Sequence, residues 1–212
     1  SVIPLFPFFF FFRGLGTPFN QLIIQLLKAV TQSWSEPIHQ LRKELRLSKI
    51  NYNPLVDKSS SCLMLAMFSS VLAKPQPDWD RNTVVTGFTF YDGDDREGVL
   101  NLKLKQFLDA GEPPIVFTLG SAAVMVPGTF YQESIRAVTQ LKRRAVLLIG
   151  KNPPPDRLPE NIMAIDYVPY SQIFPHACAI VHQGGIGTTA QALKAGRPTL
   201  IMPYSYDQPD NA

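Results

Sequence analysis

The sequence predicts an α/β protein whose second half forms a doubly wound parallel sheet. Short apolar runs that suit buried strands alternate with helical patterns from residue 115 onward. Strands that alternate with helices pair in parallel, because each crossover returns the chain to the same end of the sheet. With 45% hydrophobic and 17% charged residues, the 212-residue chain has enough apolar material for such a core.

The first half is predicted to contain two helices and one short buried strand. Thr17-Pro18 is a typical helix start, and the apolar residues from Phe19 to Val30 share one helical face, which predicts a helix packed against another element. A second helical pattern runs over about 36–47, residues 63–68 resemble a short buried strand, and residues 84–90 alternate weakly.

A polar stretch predicts the boundary between two domains. Residues 92–97 are the predicted linker between a domain over 1–91 and a second domain over 98–212. The linker begins with Asp92-Gly93-Asp94, in which two carboxylates could bind a divalent metal. A solvated turn is the preferred interpretation.

Beyond the linker, strands and helices follow one another regularly. The predicted strands are 115–119, 145–149, 162–165, 179–181 and 200–202. The predicted helices are 130–143, 171–176 and 188–195. In such a domain ligands bind at the carboxyl ends of the strands.

Composition excludes several classes of function. The net charge is +3 and neither half is a basic arm, so nucleic acid is not a predicted partner. The two cysteines, Cys62 and Cys178, suggest neither a disulfide framework nor a zinc ribbon, and a reducing, cytoplasmic setting is predicted. Because nothing near His176, Cys178 and His182 supplies a further ligand, no metal site is predicted.

The longest apolar run, Val2–Phe12, is only 11 residues long and contains two prolines. A transmembrane helix needs about 20 residues, so no transmembrane segment is predicted. Core packing is one interpretation of this aromatic stretch. The functional alternatives are a lining for a site that binds a lipophilic molecule or a peripheral contact with a membrane surface.

The stretch from His182 to Gln191 carries the chemistry, because it leaves a strand and enters a helix through glycines 184, 185 and 187. Glycines let the backbone turn tightly, and the free N–H groups of Gly187, Thr188 and Thr189 are predicted to face a ligand. Such a ligand should be an anion, held mainly by charge-assisted hydrogen bonds of about 1.5–3 kcal/mol each. The helix dipole adds about 0.3–1 kcal/mol.

A dinucleotide fingerprint competes with this interpretation. Gly185-x-Gly187-x-x-Ala190 satisfies the pattern, and Asp207 lies where such a fingerprint places its ribose-binding acid. An NAD(P)-binding oxidoreductase is therefore an alternative. The fingerprint normally follows the first strand of its domain, whereas here at least three predicted strands precede it.

Four segments of the chain resemble the UDP-glycosyltransferases, particularly the bacterial and sterol-glucosyltransferase-like members. HQGGIGTTAQALKAGRPTLIMPYSYDQPDNA, over 182–212, is similar to their donor-binding signature, and PPIVFTLGSAA, over 113–123, to the start of their C-terminal domain. Residues 166–170 are similar to the loop that holds the nucleobase, and PQPDWDRNTVVTGFTFYD, over 75–92, to the end of the N-terminal domain.

The resemblance implies a role for each matching residue. The residues implied to bind the donor diphosphate are His182, Gly185, Gly187, Thr188 and Thr189. Those implied at the sugar hydroxyls are Asp207 and Gln208, and those implied at the nucleobase or ribose are Ser121, Tyr167, Val168 and Gln191. Two positions depart from the family pattern: Gln191 replaces a ribose-binding Glu, and Tyr170 replaces a Gln.

The resemblance also implies a GT-B fold, with a Rossmann-like donor domain preceded here by the tail of a second Rossmann-like domain. A hexose would pass from a UDP-sugar to a hydroxyl of a small, lipophilic acceptor with inversion, and no metal or other cofactor is expected because fixed dipoles and His182 neutralise the leaving charge. The family's general base is a His of the N-terminal domain, and no residue of this chain matches it. The chain is therefore expected to be an inactive fragment, and a non-catalytic nucleotide-sugar-binding paralogue stays open as an alternative.

Overall fold

The computed structural model describes residues 16–50, 53–54, 56, 62–77, 79–91, 102–155 and 157–212. The chain divides into two compact units, Ser1–Gly87 and Phe88–Ala212. The predicted linker 92–97, its Asp92-Gly93-Asp94 turn and the apolar run Val2–Phe12 lie outside the described residues. The predicted domain boundary therefore stays a prediction.

The described part of the first unit contains two helices and one pair of parallel strands. Helix α1 spans Gly16–Thr31 and helix α2 spans Glu36–Glu44, with a 3-10 turn between them. Strand β1, Met64–Ala66, pairs in parallel with strand β2, Thr83–Val85. Strand β1 is shorter than the predicted 63–68, and β2 overlaps the start of the weakly alternating residues 84–90.

Two predictions for the helices need correction. The predicted packing face of α1 is divided, because Ile23 and Leu27 are half-buried while Leu22, Leu26 and Val30 are exposed. Helix α2 ends three residues before the predicted Leu47, because Arg46 takes a left-handed conformation with φ of 54°. The Leu47 N–H then bonds to the Arg42 carbonyl at 2.8 Å, which closes the helix end.

The second unit contains the predicted parallel sheet. Its strands are β3 Ile115–Thr118, β4 Ala145–Leu148, β5 Ile162–Ile165, β6 Ala179–His182 and β7 Thr199–Ile201. They pair in parallel in the order β5-β4-β3-β6-β7. All five were predicted from apolar runs, and their ends agree with the prediction to within one residue.

The helices that surround this sheet are α3 Leu102–Asp109, α4 Gly120–Ala123, α5 Phe130–Leu141, α6 Tyr170–Ile173 and α7 Ile186–Ala195. The sequence predicted neither α3 nor the four-residue α4. Helix α5 ends at Leu141 rather than Arg143, because Lys142 takes a left-handed conformation with φ of 51°.

Each face of the sheet carries its own apolar core. In strand β4 the side chains of Val146 and Leu148 join one buried cluster, and those of Ala145 and Leu147 join the other. Alternate residues of a strand point to opposite faces, so both faces are covered and the doubly wound prediction is confirmed. None of the helices in the described part of the chain is long and apolar enough to cross a membrane.

The strand order locates the ligand-binding edge. From β3 the chain moves outward through β4 and β5, and then returns to place β6 on the other side of β3. The loops that leave β3 and β6 therefore diverge at the carboxyl ends of neighbouring strands. In open α/β sheets this topological switch point is where ligands bind.

Candidate functional site

A cleft of about 540 Å³ opens at this edge of the sheet. It gathers six of the residues that the sequence predicted at the nucleotide: Ser121, Tyr167, Val168, Gly187, Thr188 and Gln191. They come from the segments that follow β3, β5 and β6, which are distant in sequence and meet only because their strands are neighbours. A larger cleft of about 1110 Å³ lies in the first unit, but none of the predicted site residues lines it.

The cleft has an exposed rim and a buried floor. Tyr167 is 76% exposed, which leaves its ring free to stack against a planar group. Val168 is 6% exposed and belongs to the apolar core, so it supports the loop from beneath. Ser121 is exposed and directly follows Gly120, whose φ of 65° produces the tight turn out of β3.

Helix α7 presents its first turn to the cleft. Gly185 is the N-cap residue, and no side chain caps the helix. The first four N–H groups of an α-helix lack partners within the helix, and they bind anions readily. Gly187 and Thr188, in the first helical turn, both line the cleft.

Thr189 differs from the prediction. Its N–H donates to the Gly185 carbonyl at 2.9 Å, and its hydroxyl donates to the same oxygen at 3.1 Å. The predicted free amide at Thr189 is therefore wrong. Because α7 begins at Ile186 and not at Thr188, Thr189 already lies in the hydrogen-bonded part of the helix, and the free amides belong to the residues before it.

His182 lies at the end of β6 and is 0% exposed. Its Nδ1 accepts the Gly184 N–H at 2.9 Å, which assigns the ring proton to Nε2 in the neutral tautomer. Burial lowers the pKa of His182 from 6.5 to about 4, so the ring is neutral at pH 7. Its buried Nε2 has no hydrogen-bond partner among the described residues.

This geometry changes the predicted role of His182. The sequence predicts that His182 neutralises the negative charge of the leaving group. A neutral imidazole carries no positive charge and cannot do so. Because Nδ1 is already engaged by Gly184, the Nε2–H is the remaining hydrogen-bond donor of the ring.

The two residues predicted at the sugar lie in the turn that follows β7. Asp207 is exposed, and its Oδ2 accepts a hydrogen bond from Asn211 Nδ2 at 2.8 Å. Gln208 is only 6% exposed, and its Oε1 accepts the N–H groups of Tyr204 at 2.7 Å and Ser205 at 3.0 Å. The oxygen of Gln208 therefore holds the loop that follows β7.

Tyr170 lies in the predicted nucleobase loop, but the sequence did not predict its contacts. Its hydroxyl lies 2.9 Å from Thr118 Oγ1 and also bonds to the side chain of Thr188, while its ring stacks on Phe174 at 4.6 Å. Burial raises the pKa of the Tyr170 phenol, although these hydrogen bonds oppose the shift. Tyr170 thus joins the end of β3 to the start of α7 across the cleft floor as a neutral hydroxyl.

Gln183 and Asn211 also escaped the sequence analysis. Gln183 is buried and lies over Gly120, where it fills the space that a side chain at Gly120 would need. Asn211 bonds to both Asp207 and the Gly184 carbonyl. The glycine pattern and the Asp-Gln pair were the signals in the sequence, and neither pattern reports a contact between two separate turns.

Comparison with known proteins identifies relatives of this chain. Residues 133–212 match the family model described as the C-terminal domain of erythromycin biosynthesis protein CIII-like proteins. The chain is 37% identical over 140 residues to O-mycaminosyltylonolide 6-deoxyallosyltransferase of Streptomyces fradiae, which covers 66% of this chain and 32% of that protein. It is 32% identical over 177 residues to a sterol 3-beta-glucosyltransferase of Arabidopsis thaliana, which covers 79% of this chain and 27% of that protein. The chain thus spans about a third or less of the length of these relatives.

Solved structures agree on the fold. The glycotransferase of kitacinnamycin aligns with a TM-score of 0.67 and 21% identity, over 91% of this chain and 49% of that one. Spinosyn forosaminyltransferase aligns with a TM-score of 0.56 and 20% identity, over 70% of this chain and 37% of that one. These neighbours have the GT-B fold, which confirms the predicted fold class.

Proposed function

We propose that the second unit binds a UDP-sugar, because residues 133–212 match an EryCIII-like C-terminal domain and the two relatives named above are glycosyltransferases. In the whole protein, the bound hexose passes to a hydroxyl of a small, lipophilic acceptor with inversion. The names of the two relatives, O-mycaminosyltylonolide 6-deoxyallosyltransferase and sterol 3-beta-glucosyltransferase, support acceptors of this chemical class.

One observation carries the proposal: the uncapped start of α7 meets the predicted nucleotide residues in a single cleft. The backbone amides provide several donors for phosphate oxygens, and Tyr167 provides a ring for the base at the rim. A dinucleotide fingerprint is less well supported, because the turn follows the fourth strand of the sheet in chain order and not the first.

The reaction that we propose has a simple balance of bonds. A base of the whole protein removes the proton of the acceptor hydroxyl, the acceptor oxygen bonds to the anomeric carbon, and the bond from that carbon to the diphosphate oxygen breaks. UDP leaves with the electron pair, from the face opposite the acceptor. Donors placed where this negative charge develops lower the barrier.

The residues of this chain act on the leaving group. The α7 amides and the Nε2–H of neutral His182 donate to diphosphate oxygens, while Asp207 accepts from the sugar hydroxyls. Hydrogen bonds to charged groups contribute about 1.5–3 kcal/mol each, so a few of them hold UDP without a metal. A reaction without metal or other cofactor is part of the proposal.

Calorimetry on the whole protein tests whether the donor is a UDP-sugar. We expect UDP and UDP-glucose to bind without added metal and to bind more tightly than NAD. Tighter binding of NAD would contradict the proposal and favour an oxidoreductase. Transfer of radiolabelled glucose to a lipophilic alcohol then separates an enzyme from a paralogue that only binds the donor.

A pair of variants tests the assigned roles. His182→Asn keeps an oxygen that can accept the Gly184 N–H but removes the Nε2 donor, so we expect it to weaken UDP and UDP-glucose equally, by roughly tenfold or more. Asp207→Ala should weaken only UDP-glucose, because the carboxylate is assigned to the sugar. An equal loss of UDP affinity in both variants would refute this division.

A further inference from the structure

A continuous line of hydrogen bonds joins His182 to Asp207. The Gly184 N–H donates to His182 Nδ1 at 2.9 Å. Asn211 Nδ2 donates to the Gly184 carbonyl at 2.8 Å and to Asp207 Oδ2 at 2.8 Å. The glycine turn after β6 is thus tied to the turn after β7 through one side-chain amide.

We propose that Asn211 is a positioning residue that couples recognition of the sugar to recognition of the diphosphate. The inference rests on the proposed function, which places the diphosphate at His182 and the sugar at Asp207. Because the two hydrogens of one amide nitrogen bond to both the turn and the carboxylate, Asn211 holds the Asp207 carboxylate at a fixed place beside the turn.

Both ends of this line are held in place by the fold. At Gly184, φ is 91°, and an added Cβ would lie 2.6 Å from Ile201 Cγ2 and 3.1 Å from the Gln208 carbonyl oxygen. The Asn211 N–H bonds to the carbonyls of Asp207 at 3.1 Å and Gln208 at 3.2 Å. The glycine turn and the Asp207–Asn211 turn are therefore packed together, and the amide bridges two fixed points.

The bridge matters most for Asp207, because this carboxylate is exposed. An exposed side chain that is not held samples several rotamers, and ordering it upon binding weakens the affinity for a ligand by roughly 2- to 12-fold. The bond from Asn211 fixes Oδ2 and orients Oδ1 as the second acceptor. A sugar hydroxyl then meets a carboxylate that is already in place.

The first test compares Asn211→Leu, which keeps a similar volume without a donor, with Asp207→Ala and the double variant. In calorimetry on the whole protein, we expect Asn211→Leu to weaken UDP-glucose by about fivefold and to change UDP by less than about twofold. The double variant should bind UDP-glucose no more weakly than Asp207→Ala alone. Equal losses for UDP and UDP-glucose, or additive losses in the double variant, would overturn the inference.

The second test, Asn211→Asp, gives a signal that a merely structural role would not produce. The introduced carboxylate repels Asp207 at pH 8, but once protonated it can donate a hydrogen bond to that carboxylate. We expect the affinity of this variant for UDP-glucose, relative to wild type, to recover as the pH falls from 8 to 5. Parallel pH profiles in variant and wild type would contradict the positioning role.

The two proposals fail in different ways. If the wild-type protein binds neither UDP nor UDP-glucose, the proposed function is wrong and the coupling has no basis. If the wild type binds both, and the Asn211 variants fold with a thermal midpoint close to wild type but lose both ligands in parallel, only the role of Asn211 is wrong.

Discussion

Gly184 and Gly187 lie three residues apart at the start of α7, but Gly184 is buried and Gly187 is exposed. Gly184 is buried with φ of 91°, and a Cβ there would overlap Ile201. Gly187 is exposed and helical, and a Cβ there would meet no atom within 4 Å. Packing therefore accounts for a glycine at position 184. Packing against the described residues does not account for a glycine at position 187, which lines the cleft.

This difference separates a structural half of the motif from a binding half. Residues 182–184 are buried and tie the turn to the rest of the sheet. Residues 186–188 open the helix, and the glycine among them lowers helix stability by about 1 kcal/mol relative to alanine. A residue that weakens the free protein and fills no structural need is typical of a binding site.

Gly184→Ala should give the largest effect on the structural half. The left-handed conformation costs an alanine about 1–2 kcal/mol, and overpacking against Ile201 adds about 1–3 kcal/mol. We expect urea denaturation to show a loss of roughly 2–5 kcal/mol in the free energy of unfolding. Gly196→Ala is the matched control, because Gly196 has φ of 63° but an added Cβ there meets open space. A loss in the control as large as that at Gly184 would show that packing plays no part.

The buried histidine predicts a pH dependence of slightly smaller size. Burial lowers the pKa of His182 from 6.5 to about 4, so between these values the unfolded chain takes up a proton that the folded protein does not. The stability from this group is therefore complete above about pH 6.5 and is lost as the pH falls towards 4, by roughly 3 kcal/mol in total.

Urea denaturation from pH 7 to pH 4 measures this loss as the difference in unfolding free energy between wild type and His182→Asn. As the pH falls, we expect the free energy of unfolding to decrease more in the wild type than in His182→Asn. His176→Asn, which removes an exposed histidine, is the control. A difference independent of pH would mean that His182 is not buried in its neutral form.

Gly187→Ala tests the binding half and should have the smallest effect on stability. We expect the variant to be more stable by up to about 1 kcal/mol, because alanine is the better helix former and meets no clash. We also expect UDP affinity to fall by about tenfold, because the methyl group enters the space above the α7 amides. Unchanged UDP affinity, measured by calorimetry, would assign the diphosphate to another position.

Much of the second unit could be predicted from its sequence, because its strands are short apolar runs separated by glycine and proline. Helix α3 was missed, although Leu104 and Leu108 are buried at a helical spacing of four residues. The first unit was harder. Helix α2 ends where Arg46 turns left-handed, and arginine is not a residue that marks such a turn in a sequence.

The sequence determined the local chemistry of this protein. The alternation of strands and helices, the glycines that leave β6, and the presence of an aspartate and a glutamine after β7 can all be read along the chain, because each depends on near neighbours. The tertiary structure alone decided which atoms are available. Burial made His182 neutral, the start of α7 at Ile186 engaged the Thr189 amide, and the packing of two turns placed Asn211 between Gly184 and Asp207. Protonation and hydrogen-bond partners depend on groups that are far apart in sequence, and only the folded sheet brings those groups together.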